Sequence, residues 1–233
     1  MSVYGISDLH LSFGTNKPMN IFGKVWDNYE DKIKTNWQNA VKPEDFVIIA
    51  GDISWATYLS EAIKDFEYID SLPGHKIIIR GNHDYYFDTK NKQEKFFEDN
   101  NMSNISILQN NAIDTEEYII CGARGWGDTE NTQKEDDKLI KREAIRLRLS
   151  LDEGIKLQKK YLEQGIEKDI LVAMHFPPFN TEYQKILEGY KVKKCIYGHL
   201  HGYGHSKVKE GIINGVDYVM VSCDYTGFNV IKL

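Results

Sequence analysis

The chain has few cysteines, no excess of positive charge and no long apolar run. Cys121, Cys195 and Cys223 are odd in number and form no CxxC pair. Each sits inside a strand-like run, so they read as buried reduced thiols, which sets aside a disulfide framework and gives a cysteine zinc site little support. No segment approaches the roughly 18–20 apolar residues that a membrane-crossing helix needs. The start, Ser2-Val3-Tyr4-Gly5-Ile6-Ser7, reads as a strand and lacks the basic and apolar stretches of a secretory leader. These absences lead us to expect a cytoplasmic protein with no membrane partner. A net charge of −6 argues against nucleic acid as a stable partner, since backbone binding usually requires a basic face. It leaves room for a small phosphorylated substrate, because a metal centre supplies positive charge locally whatever the overall sign. There is no internal repeat and no low-complexity tail.

What is present is a strand–helix alternation. Strand-like runs cover Val3–Asp8, Asp45–Ala50, His75–Arg80, Ile105–Leu108, Tyr118–Cys121, Ile170–His175, Lys194–Tyr197, Tyr218–Cys223 and Phe228–Leu233. Val47-Ile48-Ile49-Ala50 and Ile77-Ile78-Ile79 are continuously apolar, as strands covered on both faces should be. Asn214-Gly215 and Thr226-Gly227 read as hairpin punctuation. Helical spacing appears over Tyr58–Leu72, closed by Pro73-Gly74, and again over about Asp136–Gln164. Asp128–Asp137 is polar and acidic and reads as an exposed loop, so 128–165 is expected to be a loop-plus-helix insert, a pocket wall or an oligomer contact. The whole pattern predicts an α/β fold with layered mixed sheets. A single domain over 1–233 is expected, since the motifs below run from residue 8 to residue 201 and must converge.

Those motifs stand at strand ends. Asp8-Leu-His10 comes first, where residues two apart on a strand share a side. Gly51-Asp52 follows the second run, and the glycine permits a tight turn toward the crevice beyond the strand ends. Gly81-Asn82-His83-Asp84 follows the third; taken alone, Gly-Asn is also ordinary turn chemistry. His175 closes Ile170–Met174 just before Pro177-Pro178, and Gly198-His199-Leu200-His201 follows Lys194–Tyr197. A lone histidine is more often structural than a ligand. Five such groups at five strand ends are what a dinuclear metal site requires.

The series DLH, GD, GNHD, H, GHLH resembles the calcineurin-like metallophosphoesterase superfamily, in that family's order and over nearly the whole chain. The resemblance implies a four-layer α-β-β-α sandwich with two central mixed sheets. It implies one ion held by Asp8, His10, Asp52 and His201, and a second by Asp52, Asn82, His175 and His199, with Asp52 shared. It further implies that His83 is a non-ligand catalytic histidine acting on the leaving oxygen, and that Asp84 supports it by holding local geometry. Mixed nitrogen and oxygen donors suit two divalent or trivalent ions of Mn, Fe or Zn better than Ca²⁺.

Departures from the family's branches narrow the expected reaction. Gly51-Asp52-Ile53-Ser54-Trp55-Ala56 lacks the second Asp and the Arg of the GDxVDRG block of Ser/Thr phosphatases and diadenosine tetraphosphate hydrolases. His83 stands where lipid-A precursor hydrolases carry Arg, and the chain has no room for a nuclease's appended domain. The small bacterial-type phosphohydrolases and phosphodiesterases remain, with diester hydrolysis by a metal-activated hydroxide favoured over monoester hydrolysis. The alternative is a catalytically silent protein-binding scaffold of the same fold, but such members lose ligands or the non-ligand histidine, and here none is lost. Arg124, in the turn Gly122-Ala123-Arg124-Gly125-Trp126-Gly127, is expected to bind substrate phosphate. Trp55 reads as pocket lining or packing, His75 as structural and His205 as exposed. The basic stretch around Lys141, Arg142, Arg146 and Arg148 reads either as a solvated helix face or as a lip guiding an anionic substrate.

Overall fold

Along a strand, side chains alternate between faces, and this alternation sorts the apolar runs into three separate cores. In the computed structural model, which describes residues 1–127 and 134–233, Val47 and Ile49 enter one core while Ile48 and Ala50 enter another. The strands are β1 (Val3–Ile6), β2 (Phe46–Ile49), β3 (His75–Ile78), β4 (Ile105–Ile107), β5 (Ile113–Asp114), β6 (Tyr118–Ala123), β7 (Asp169–Met174), β8 (Lys194–Tyr197), β9 (Gly211–Ile213), β10 (Val216–Met220) and β11 (Ile231–Lys232). The helices are α1 (Tyr29–Ala40), α2 (Ile63–Ser71), α3 (Lys90–Asp99), α4 (Lys134–Leu162) and α5 (Glu182–Gly189). One sheet has the order β11-β1-β2-β3-β4 and the other β5-β6-β7-β8-β10-β9. β1 to β4 run parallel, as do β6, β7, β8 and β10, while β11, β5 and β9 join antiparallel.

Val3, Ile48, Ala50, Ile77, Ile120, Leu171, Ala173 and Ile196 fill the space between the sheets. Outside the first sheet, Ile33 and Trp37 of α1, Phe66 and Ile69 of α2 and Phe97 of α3 bury their apolar faces. Outside the second, Ala144, Leu147 and Leu151 of α4 and Ile186 and Leu187 of α5 do the same. The result is the expected four-layer sandwich with two mixed sheets.

The sequence reading needs correction in several places. The segment expected to be an insert contributes α4, which is the outer cover of the second sheet: Leu147 and Leu151 are fully buried against it. Residues 134–137, expected in the loop, are the first turn of that helix, and 128–133 lie outside the described residues. The helix expected over Tyr58–Leu72 forms only as α2, and α1, α3 and α5 were not anticipated. Asn214-Gly215, both with positive φ, turns the β9–β10 hairpin as expected. Thr226-Gly227 leads into no hairpin, because β11 crosses to pair with β1 in the other sheet. That crossing, with the bridge between Ser7 and Ser222, stitches the two sheets together at the ends that carry the motifs.

Candidate metal centre

Asp8 and His10 lie beyond the end of β1, in left-handed backbone at φ 60° and 46°. The expected strand alternation is therefore not what aligns them. Backbone bonds align them instead: Asp8 N donates to Gly51 O at 2.9 Å and His10 N to Asp52 O at 3.0 Å. Asp52 (φ 52°) and His199 (φ 72°) are left-handed too. Asn, Asp and His tolerate this region better than most residues, and clusters of such backbone mark functional sites. Two motif glycines are needed for close approach. A Cβ on Gly81 would stand 2.0 Å from Asp52 Oδ1, and one on Gly198 would stand 2.4 Å from Asp8 Oδ2.

The fold brings all seven anticipated ligands together from both sheets. His201 Nε2 lies 3.3 Å from His10 Nε2 and 3.3 Å from Asp8 Oδ1. Asp52 Oδ2 lies 3.9 Å from His10 Nε2 and 3.4 Å from His175 Nε2, so it faces both halves of the group. Asn82 Oδ1 lies 2.7 Å from His175 Nε2 and 2.9 Å from His199 Nδ1. Asp8, His10 and His201, and likewise Asp8, Asp52 and His175, place ligand atoms within 4.8 Å of one another.

This donor set fits a cation. His175 Nδ1 faces Ala50 O at 3.0 Å, so it carries a proton. The neutral ring then points its Nε2 lone pair at two oxygens, and only a proton or a metal ion reconciles the three. The charges agree with this reading. Burial opposes ionisation of His175 and His201, yet Asp52 and Asp8 hold His175 up at about 9, and Asp8 and Asp224 hold His201 up at about 10. Burial likewise opposes the Asp8 charge, but His201, His175 and His10 hold that carboxyl well below the usual range. His10 and His199, dominated by burial, fall to about 4 and stay neutral.

Surrounding residues orient the ligands. Asp8 Oδ2 accepts from Ser7 Oγ, from Ser222 Oγ at 2.7 Å and from His199 N at 3.0 Å. Asp84 is taken up by other partners: it accepts backbone N–H bonds from Gly81 (2.6 Å), Ile53 (2.8 Å), Asp52 (2.9 Å) and Ser54 (3.3 Å), and the Tyr86 hydroxyl donates to it at 3.1 Å. Burial and Asp52 raise its carboxyl to about 6 against those bonds, which still leaves it ionised at neutral pH. It is thus a positioning residue that locks the GD and GNHD turns to each other.

His83 donates its backbone N–H to Asp52 Oδ1 at 2.8 Å. Its ring packs 4.6 Å from Trp55 and 5.7 Å from His10. Its Nδ1 is buried without a partner, and burial lowers its pKa. Trp55 stacks on His10 with centroids 4.9 Å apart, so it lines the site. Arg124 follows β6: its carbonyl accepts from His175 N and Phe176 N, while its guanidinium turns to Glu143 and Trp126.

Sequence reasoning missed Asp224. It accepts from His201 Nδ1 at 2.8 Å and lies 3.2 Å from His205 Nε2, so His205, expected to be exposed, is half-buried beside that carboxylate. The available signal was position, since Asp224 follows the run Tyr218–Cys223 as the other site residues follow theirs. His75 is structural as expected, at 2.7 Å from Ser106 Oγ, and the three cysteines are buried and unpaired.

A family model described as calcineurin-like phosphoesterase matches residues 1–203. The chain belongs to that family. Members are metal-dependent, and the Asp and His groups here are able to hold metal ions. An uncharacterized protein of Methanocaldococcus jannaschii is 33% identical over 87 residues, which are 36% of this chain and 47% of that protein. The chain thus spans about half the length of the curated relative it matches. Among solved structures, phosphopantetheinyl hydrolase of Mycobacterium tuberculosis aligns over 100% of this chain and 95% of its own, at 15% identity and a TM-score of 0.51. TT1561 of Thermus thermophilus aligns over 99% and 97%, at 11% identity and a TM-score of 0.52. At these identities the two structures speak to the fold alone. Among the described residues no helix is long and apolar enough to cross a membrane.

Proposed function

We propose that this phosphoesterase-family protein hydrolyses a small phosphorylated substrate, with diesters favoured over monoesters, at a centre of two metal ions. The observation that carries the reading is the position of Asp52 Oδ2, open toward both His10 and His175. Asp8, His10, Asp52 and His201 would hold one ion, and Asp52, Asn82, His175 and His199 the other; Mn, Fe and Zn all suit these donors. When bound, such ions supply the charge that acidifies a water and neutralises phosphoryl oxygens.

The chain's own residues do the rest. Asp84 and the backbone bonds it accepts keep Asn82, His83 and Asp52 in register. His83 is the group placed to act on the leaving oxygen: its backbone N–H binds Asp52 Oδ1 and its ring lies beside the His10 ring without being one of the ligands. Trp55 and Trp26 wall His10 and exclude water from its ring faces. A cleft of about 610 Å³, lined by His199, His201, Phe179, Leu200, Lys207 and Lys209, has room for an ester arm. That room supports the diester reading. A scaffold role finds no support in a ligand set that is complete and assembled.

The test is a metal-supplemented screen over chromogenic monoesters and diesters and cyclic nucleotides, comparing wild type with His83→Ala. Turnover should fall by about 10²–10⁴-fold in the variant with metal content retained. The loss should be greatest for alkoxide leaving groups. A loss equal across leaving groups would remove His83 as the proton donor, and no turnover of any ester with both ions bound would remove the hydrolytic reading.

A further inference from the structure

Three arginines gather on one buried carboxylate of α4. Glu143 of α4, its side chain 1% exposed, presents Oε1 to Arg146 Nη1 at 3.1 Å and to Arg124 Nη2 and Arg142 Nε at 3.5 Å each. Arg80, at the end of β3, joins Arg124, Glu143 and Arg146 in lining one recess. Among the described residues, Glu143 faces three of these guanidiniums and Asp88 lies near Arg80, so the four arginines keep an excess of positive charge, in a chain whose net charge is −6. Arg124 is only 9% exposed, its contact to Glu143 is loose, and its Nε has no hydrogen-bond partner; Arg80 Nε is likewise buried and unpaired. Burial pulls the Arg124 guanidinium below its ordinary pKa, and Arg80, Arg142 and Arg146 add to this against Glu143. A guanidinium does not shed its proton in a protein, so the excess charge persists and calls for an anion.

The recess is tied to the proposed centre through the backbone. Arg80 stands two residues before Asn82, and the Arg124 carbonyl binds His175 N at 3.1 Å. β3 and β6 adjoin β2 and β7, and strands in a sheet are about 4.8 Å apart. The recess as a whole has about 20 Å³, room for one water-sized group, so an oxyanion would seat a single oxygen there and extend outward past Arg146. Arg146, 31% exposed, and Arg142, 50% exposed, stand where the cluster meets solvent. Glu143 Oε2 and Gln109 Oε1 are unpaired as well. The hydroxyl of a protonated oxyanion suits the former, and rotation of the Gln109 amide presents its nitrogen instead.

We propose that Arg80, Arg124 and Arg146 form an oxyanion pocket for a second anionic group of the substrate, a phosphate or carboxylate remote from the scissile ester. The substrate assignment rests on the hydrolysis proposed above, whereas anion binding does not, so two measurements separate them. The first is calorimetric titration of the metal-free full-length protein with inorganic phosphate. Arg146→Ala, a partly exposed change, should weaken binding about 10-fold or more, as loss of a charged hydrogen-bond donor does, and Arg124→Gln should do the same. Wild-type affinity in both variants would place the phosphate on the site imidazoles and overturn the pocket. The second is KM of the metal-loaded enzyme for nitrophenyl phosphodiesters with and without a carboxylate on the second arm. Arg146→Ala should raise KM about 10-fold for the carboxylate-bearing ester alone. Arginine-dependent phosphate binding with no such split would leave free phosphate as the occupant and overturn the substrate assignment. Arginine-dependent phosphate binding in a protein that turns over no ester supports the pocket and counts against the hydrolytic reading.

Discussion

The two sheets contribute different chemistry to the site. The first supplies every oxygen donor, Asp8, Asp52 and Asn82, with the single imidazole of His10. The second supplies only imidazoles, His175, His199 and His201. The oxygen side is fixed by donors: hydroxyls and backbone N–H groups hold Asp8, and Asp84 collects four N–H bonds from the two turns around Asp52 and Asn82. The imidazole side is fixed by acceptors on the far nitrogen, Ala50 O behind His175 and Asp224 behind His201. A carboxylate needs its unused lone pairs filled, while an imidazole needs its tautomer set. Neither sheet makes a site alone.

Removing an oxygen donor shared by both halves should therefore do the most damage. Asp52→Asn should lower ester turnover by more than about 100-fold, the upper range for loss of an outer-shell partner, and weaken both metal sites in equilibrium dialysis. Loss of one ion only would show that Asp52 is not shared. Asp84→Ala acts one layer out. It strands four buried N–H groups, each costing about 1–3 kcal/mol, so urea unfolding should show a loss of at least about 3 kcal/mol. A stable variant with a normal midpoint would mean that the turns hold without it.

On the imidazole side, Asp224→Ala should weaken only the ion held through His201, by about 10–100-fold, with the other retained. Equal weakening of both would dissolve the distinction between the two sheets. The smallest effect concerns protons. His175 and His201, held up at about 9 and about 10 without metal, are protonated at pH 7 and must lose those protons to bind an ion. Metal affinity should rise with pH from 7 through 9, and calorimetry in buffers of different ionisation enthalpy should detect proton release. A pH-independent affinity would contradict the charge assignment.

Much of this was legible because a metal site needs particular atoms at strand ends, and those atoms are spelled out by DLH, GD, GNHD, H and GHLH. The four layers followed from apolar runs such as Val47–Ala50, whose alternate residues serve two cores. What escaped depends on contacts distant in sequence. Nothing near Asp224 announces its pairing with His201, and nothing near Arg124 announces Glu143 on α4. The apolar stripe of α4 was legible in Ala144, Leu147 and Leu151, but nothing in it named the second sheet as the surface it covers. The crossing of β11 to β1 was invisible to a pattern that saw two adjacent hairpin signals.

The central claim is that two ions share Asp52. Anomalous diffraction from crystals grown with saturating Mn²⁺ tests it most directly. The account predicts two peaks flanking Asp52, one among Asp8, His10 and His201 and the other among Asn82, His175 and His199. A single peak, or none among these residues, would contradict it.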